Sequence, residues 1–103
     1  MDTFLAVADP TRRQLILTLA QGEHSFGDLA SQFDMSRPAV SQHLKVLRES
    51  GIVSVRPLAQ RRMYTLKEGA LSELDGWLGR VRQFWNGRLD QLEAALLEDS
   101  NDG

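Results

Sequence analysis

Gln42 carries a side-chain amide of the kind that pairs in bidentate fashion with an adenine edge, and Ser41 beside it is a flexible donor and acceptor. Arg37 and Lys45 flank them. Their charge suits backbone phosphate, though an arginine there can also read guanine. A second polar group, Arg56, Gln60, Arg61 and Arg62, falls further along the chain. No nucleophile–base pair, phosphate loop or metal-ligand cluster accompanies them, so the chemistry on offer is recognition and not catalysis. The chain has no cysteine, which excludes disulfides, thiolate metal sites and thiol redox switching. Its two histidines, His24 and His43, do not suggest a metal site.

For Ser41 and Gln42 to reach a groove, they must stand on the outer side of a helix. Val40, Leu44 and Leu47, spaced four and three, define the inner side. At about 100° per residue, Pro38, Gln42 and Lys45 point away from Val40, with Ser41 on the flank. Ser36 is the expected N-cap, and Pro38 is tolerated in the first turn. Gly51 stops this helix, and Ile52 packs back on it in a Schellman ending. Glu49 faces outward near the far end, clear of the reading face. His43 lies at the edge of the buried stripe, where a hydrogen-bonded boundary role and a DNA contact are both open.

A shorter helix precedes it. Ser25 opens this helix with Asp28 three residues on, as in a capping box, and Leu29, Ala30 and Phe33 make its apolar stripe. Its capped N-terminus can meet a backbone phosphate. Asp34-Met35-Ser36 is the break between the two helices. Further upstream, Asp9 caps a helix that starts at Pro10, carries Leu15, Ile16 and Leu19, and stops at Gly22. Phe4, Leu5 and Val7 predict a short apolar helix at the start. After Gly51 the period changes. Ile52, Val53, Val55 and Leu58, a turn at Ala59-Gln60-Arg61, then Met63, Tyr64 and Leu66 predict a two-stranded hairpin that must lean on the helices. Tyr64 is read as a packing residue and the arginines as cations for flanking phosphates or the minor groove.

The helical period returns from about residue 69 to residue 97. Leu71, Leu74, Leu78, Val81 and Trp85 follow a 3-4-3-4 spacing, and Leu89, Leu92 and Leu96 resume it after one extra step of four. Trp77 and Phe84 widen the stripe. This helix either completes the monomer's core or pairs two copies, and the dimer seam is the favoured reading. The dimerisation set is Phe4 and Leu5 with Leu74, Trp77, Leu78, Val81, Phe84, Trp85, Leu89 and Leu92. A small-molecule pocket among the aromatic rings is the less favoured use of this surface. Residues 1–99 are expected to form one domain, and residues 100–103 a polar tail.

Charge is segregated along the chain. The net charge is −2 overall, but residues 36–67 carry seven Lys and Arg against Glu49 alone, for +6. The segments on either side carry −3 and −5. Binding answers to the local field, and the basic third coincides with the two-helix motif and the hairpin. No apolar run approaches the roughly 18 residues of a membrane span. Met1-Asp2-Thr3 lacks the basic start of a signal peptide, so the expected address is the cytoplasm.

Two short helices followed by a basic hairpin make a mostly α, winged helix-turn-helix architecture with five helices and a two-stranded wing. At this point the chain resembles the ArsR family of bacterial and archaeal winged-helix repressors. The stretches that carry the likeness are Ala8-Asp9-Pro10-Thr11-Arg12-Arg13, residues 36–47 with the pattern Ser-x-x-x-Val-Ser-x-His-Leu-x-x-Leu within them, Gly51-Ile52-Val53, and Arg61-Arg62-Met63-Tyr64-Thr65-Leu66. The resemblance covers roughly residues 3–98. It implies a homodimer formed through the first and last helices, bound to a palindromic operator and blocking polymerase. Many such relatives sense metals through cysteines before the turn or through His and acidic residues on the last helix. Here Ser25-Phe26-Gly27-Asp28-Leu29 has no cysteine and the last helix has no histidine, so metal sensing is not expected. The last helix, with Phe84-Trp85 and Arg88-Leu89-Asp90, is similar to a metal-independent, autorepressor-like branch. The expected partners are therefore double-stranded DNA and a second copy of the chain, with no cofactor. The alternative class is a winged-helix protein-interaction module, which would not need Arg37, Gln42 and the wing arginines together.

Overall fold

The computed structural model describes residues 2–101, with side chains described through residue 98. Five helices and three strands follow in the order α1 (Thr3–Ala6), α2 (Pro10–Ala20), β1 (His24–Ser25), α3 (Phe26–Ser31), α4 (Arg37–Glu49), β2 (Val53–Leu58), β3 (Arg61–Leu66) and α5 (Ser72–Asn101). The chain divides into two compact units, Met1–Leu71 and Ser72–Gly103.

Helix starts in the first unit are set by side-chain caps. The first backbone N–H groups of a helix have no partner within it, so a side-chain oxygen must accept from them. Asp9, Ser25 and Ser36 do this for α2, α3 and α4, accepting from the backbone N–H groups of Arg12, Asp28 and Ala39. Proline in the first turn of α2 and of α4 removes an N–H that needs no partner there. The end of α4 is a Schellman motif. Gly51 adopts φ +79°, the Ile52 N–H donates to the Leu47 carbonyl at 2.9 Å, and the Gly51 N–H donates to the Arg48 carbonyl at 3.1 Å.

These ends aim the apolar stripes at one core. Leu15, Ile16 and Leu19 of α2, Leu29 of α3, and Val40, Leu44 and Leu47 of α4 are buried with Ile52, Val53 and Tyr64. Phe33 packs on this cluster from beyond the end of α3, which stops at Ser31. Tyr64 is a packing residue, 5% exposed.

The sheet differs from expectation in two respects. β2 and β3 pair antiparallel from Val53↔Leu66 to Leu58↔Arg61, so the connection is only Ala59-Gln60 and Arg61 opens β3. Beyond β3 lies a third strand, β1, with His24↔Tyr64 and Ser25↔Met63 in register, giving the order β1-β3-β2. Two residues show no periodicity, which is why the sequence did not announce this strand. Ser25 thus belongs to the sheet and caps α3 at the same time.

The second unit is α5, a helix of 30 residues. It starts at Ser72, three residues later than expected, because Gly69 at φ +74° and a turn from Lys67 to Ala70 precede it. Ser100 and Asn101, expected in a polar tail, are helical, while Asp102 and Gly103 lie outside the described residues. Phe84, Trp85, Leu89, Leu92 and Leu96 are each 56–60% exposed along α5. The Arg88 guanidinium lies over the Phe84 ring, 4.7 Å from its centroid. No helix among the described residues is long and apolar enough to cross a membrane.

Candidate nucleic-acid interface

α4 is held by its buried side, which leaves a polar outer side. Ser36, Arg37, Pro38, Ser41, Gln42 and Lys45 are all exposed, opposite the buried Val40, Leu44 and Leu47. The Arg37 guanidinium sits over the ring of Phe26 at 5.0 Å from its centroid, a cation–π contact that steadies a long side chain at the helix start. Lys45 Nζ lies 4.0 Å from Glu49 Oε1, one turn along the same helix. Both side chains are half exposed, so the attraction is weak and leaves the lysine able to meet a phosphate.

An open cleft of about 550 Å³ joins this helix to the hairpin. Arg37 and Ser41 line it from α4, Gln60, Arg61 and Arg62 from the hairpin, and Ser25 through Asp28 from the start of α3. Three guanidinium groups thus border one concave surface against the single carboxylate of Asp28. Such a field attracts a polyanion.

Two expected site residues are engaged elsewhere. His43 is half-buried, and its Nδ1 lies 3.5 Å from an Arg12 guanidinium nitrogen and 3.7 Å from Asp9 Oδ2. Arg12 also donates to the carbonyls of Ala6 at 2.6 Å and Leu5 at 3.1 Å, the last turn of α1. One guanidinium therefore ties α1 to the inner edge of α4. The Asp9 carboxyl is held below its ordinary range, first by the Arg12 N–H that it accepts and then by the facing charges of His43 and Arg12. Arg56 is engaged by Glu23. Its Nε donates to one carboxylate oxygen at 2.9 Å and its terminal nitrogen to the other at 2.8 Å. This bidentate pair lowers the Glu23 pKa and raises that of Arg56.

Phe26, Arg12 and Glu23, which hold Arg37, His43 and Arg56 in place, are not evident from the sequence as supports of this surface. Arg12 carried a signal, since it lies in the Asp-Pro-Thr-Arg-Arg stretch. Glu23 carried none, because its partner is 33 residues away. Among the described residues no three His, Cys, Asp or Glu side chains group as metal ligands.

A two-helix motif with an exposed second helix, flanked by a hairpin rich in arginine, defines a winged helix-turn-helix DNA-binding protein. Comparison with known proteins makes the class specific. Residues 9–55 match the family described as "Bacterial regulatory protein, arsR family". The chain is 42% identical to the HTH-type transcriptional regulator Rv2034 of Mycobacterium tuberculosis over 94% of this chain and 87% of that protein. It is 32% identical to the transcriptional repressor SdpR of Bacillus subtilis, over 75% of this chain and 86% of that one. A solved structure described as a possible transcriptional regulator for arsenical resistance superposes with a TM-score of 0.73 at 39% identity, covering 91% and 95% of the two chains. The chain belongs to the ArsR family of transcriptional regulators, which are DNA-binding proteins and not enzymes.

Proposed function

We propose that the chain is a cytoplasmic, homodimeric repressor that binds a palindromic operator without a metal switch. The N-terminal half of α4 enters the major groove, where Gln42 and Ser41 read base edges. Arg37 and Lys45 hold phosphate beside them, Ser36 and Pro38 set the start of the helix against the backbone, and Arg61, Arg62 and Gln60 grip the flanking backbone from the wing. The observation that carries this reading is the cleft in which the outer side of α4 and the wing arginines share one open, cationic surface. The dimer is supported by the apolar length of α5, whose exposed Trp85, Leu89 and Leu92 make a patch that solitary chains rarely leave in water. Two copies on two half-sites sum their contacts, which gives a short module useful affinity.

The test starts from duplexes selected by the protein out of a random-sequence library. Binding to a selected and to a random duplex is then measured by fluorescence anisotropy across a salt series. Gln42→Ala is expected to weaken binding to the selected duplex by about 1–3 kcal/mol and to leave the random duplex unchanged. Arg61→Ala is expected to weaken both and to flatten the salt slope by about one. Unchanged binding in both variants sinks the assignment.

A further inference from the structure

We infer that Glu23 masks Arg56, so that one of the wing's arginines is withheld from nucleic acid and the background affinity of the wing is set below what its arginine count allows. The inference rests on the DNA-binding reading above and concerns how that surface is tuned.

Three observations converge. First, the pair is bidentate, with both carboxylate oxygens and two guanidinium nitrogens committed at 2.8 and 2.9 Å. An arginine fork held this way presents the same donors that a phosphate would need. Second, the geometry is fixed by the sheet. Arg56 is opposite Met63, and Met63 is opposite Ser25, so these three share one face. Glu23 stands two residues before Ser25 and returns to that same face. The pair therefore spans the middle strand, from the edge beside β1 to β2. Third, Arg61 and Arg62 line the cleft with Arg37, whereas Arg56 does not. The wing thus holds two kinds of arginine: a pair at the tip facing the cleft, and one lower on β2 tied across the sheet.

The physical consequence is electrostatic. Each cation that neutralises a phosphate releases counterion and steepens the dependence of affinity on salt by about 0.9 per contact. Arg56 is as exposed as Lys45, but its bidentate pair must be given up before it meets a phosphate, so it contributes less counterion release. A duplex of arbitrary sequence binds through such contacts alone, so masking Arg56 lowers the affinity for every sequence at once.

The measurement is the salt dependence of binding to a random 30-base-pair duplex for the full chain. Glu23→Gln removes the carboxylate's charge and keeps its shape. Affinity for the random duplex is expected to rise roughly five- to tenfold at 0.1 M salt, with the slope steeper by about one. Glu23→Gln combined with Arg56→Gln is expected to return the slope to the wild-type value, which a loss of wing structure would not do. Arg56→Gln alone bares the Glu23 carboxylate, so the reading of Arg56 itself is taken from the comparison of Glu23→Gln with the double variant. A slope in Glu23→Gln that equals or falls below the wild-type value overturns the masking. A slope in the double variant as steep as in Glu23→Gln also overturns it, since the cation set free would then not be Arg56. If the wild-type chain binds neither the selected nor the random duplex, the DNA-binding reading fails first and takes this inference with it.

Discussion

Asp9 joins two helices with a single oxygen. Its Oδ2 accepts from the Arg12 N–H as the cap of α2 and faces His43 on α4 at 3.7 Å. Its pKa is lowered in the folded chain, so it contributes stability above its ordinary value of 3.8 and loses that contribution as pH falls through the depressed value. Asp9→Ala is expected to cost about 1 kcal/mol near neutral pH, the usual worth of a cap. In urea melts followed by circular dichroism, the gap between variant and wild type is expected to close as pH drops below 3.8. A gap that persists undiminished at low pH contradicts the role of the charged carboxylate. His43 is the residue whose reading changes most. From the sequence its border position left two roles open, and its half-buried ring beside Arg12 and Asp9 favours the one that fastens α4 inward.

At the scale of elements, most of the first unit is legible because α2 and α4 each carry their own start, stripe and stop. Ser36, the Val40-Leu44-Leu47 stripe and Gly51 are enough to place α4 to within a residue. Gly51 is a place where the backbone itself constrains the residue, since φ +79° is costly for any side chain even though nothing crowds a Cβ there. Gly51→Ala is expected to destabilise the fold by about 1–2 kcal/mol in chemical denaturation. An unchanged midpoint would mean that the Schellman ending relaxes at no cost. Less was legible where structure depends on distant pairing. β1 has two residues and exists only because β3 lies beside it. In the sequence Arg56 reads as a wing cation and Glu23 carries no signal, and only the sheet brings the two together. The outer side of α4 could be read from helical geometry, whereas the cleft it shares with the wing required the tertiary fold.

At the scale of the whole molecule, charge and apolar surface are separated by role. The cations concentrate in residues 36–67, and the apolar side chains left in water concentrate on α5. Leu89→Asp combined with Leu92→Asp is expected to convert the proposed dimer to a monomer at micromolar concentration, as read by sedimentation equilibrium. The same variant is expected to lose more than tenfold in affinity for a duplex with two half-sites and little for a duplex with one. A wild-type chain that sediments as a monomer at micromolar concentration rules out the α5 seam.

Ser25, shared between β1 and the cap of α3, has a consequence for how the chain folds. The hydroxyl that starts the reading motif sits on a strand whose neighbour, β3, lies far along the sequence. The wing and the two-helix motif therefore share an obligatory joint, which makes them one cooperative folding unit. A truncated chain that ends before the hairpin would lack the strand that holds Ser25 in place. The minimal piece able to present α4 correctly is thus longer than the helix-turn-helix itself.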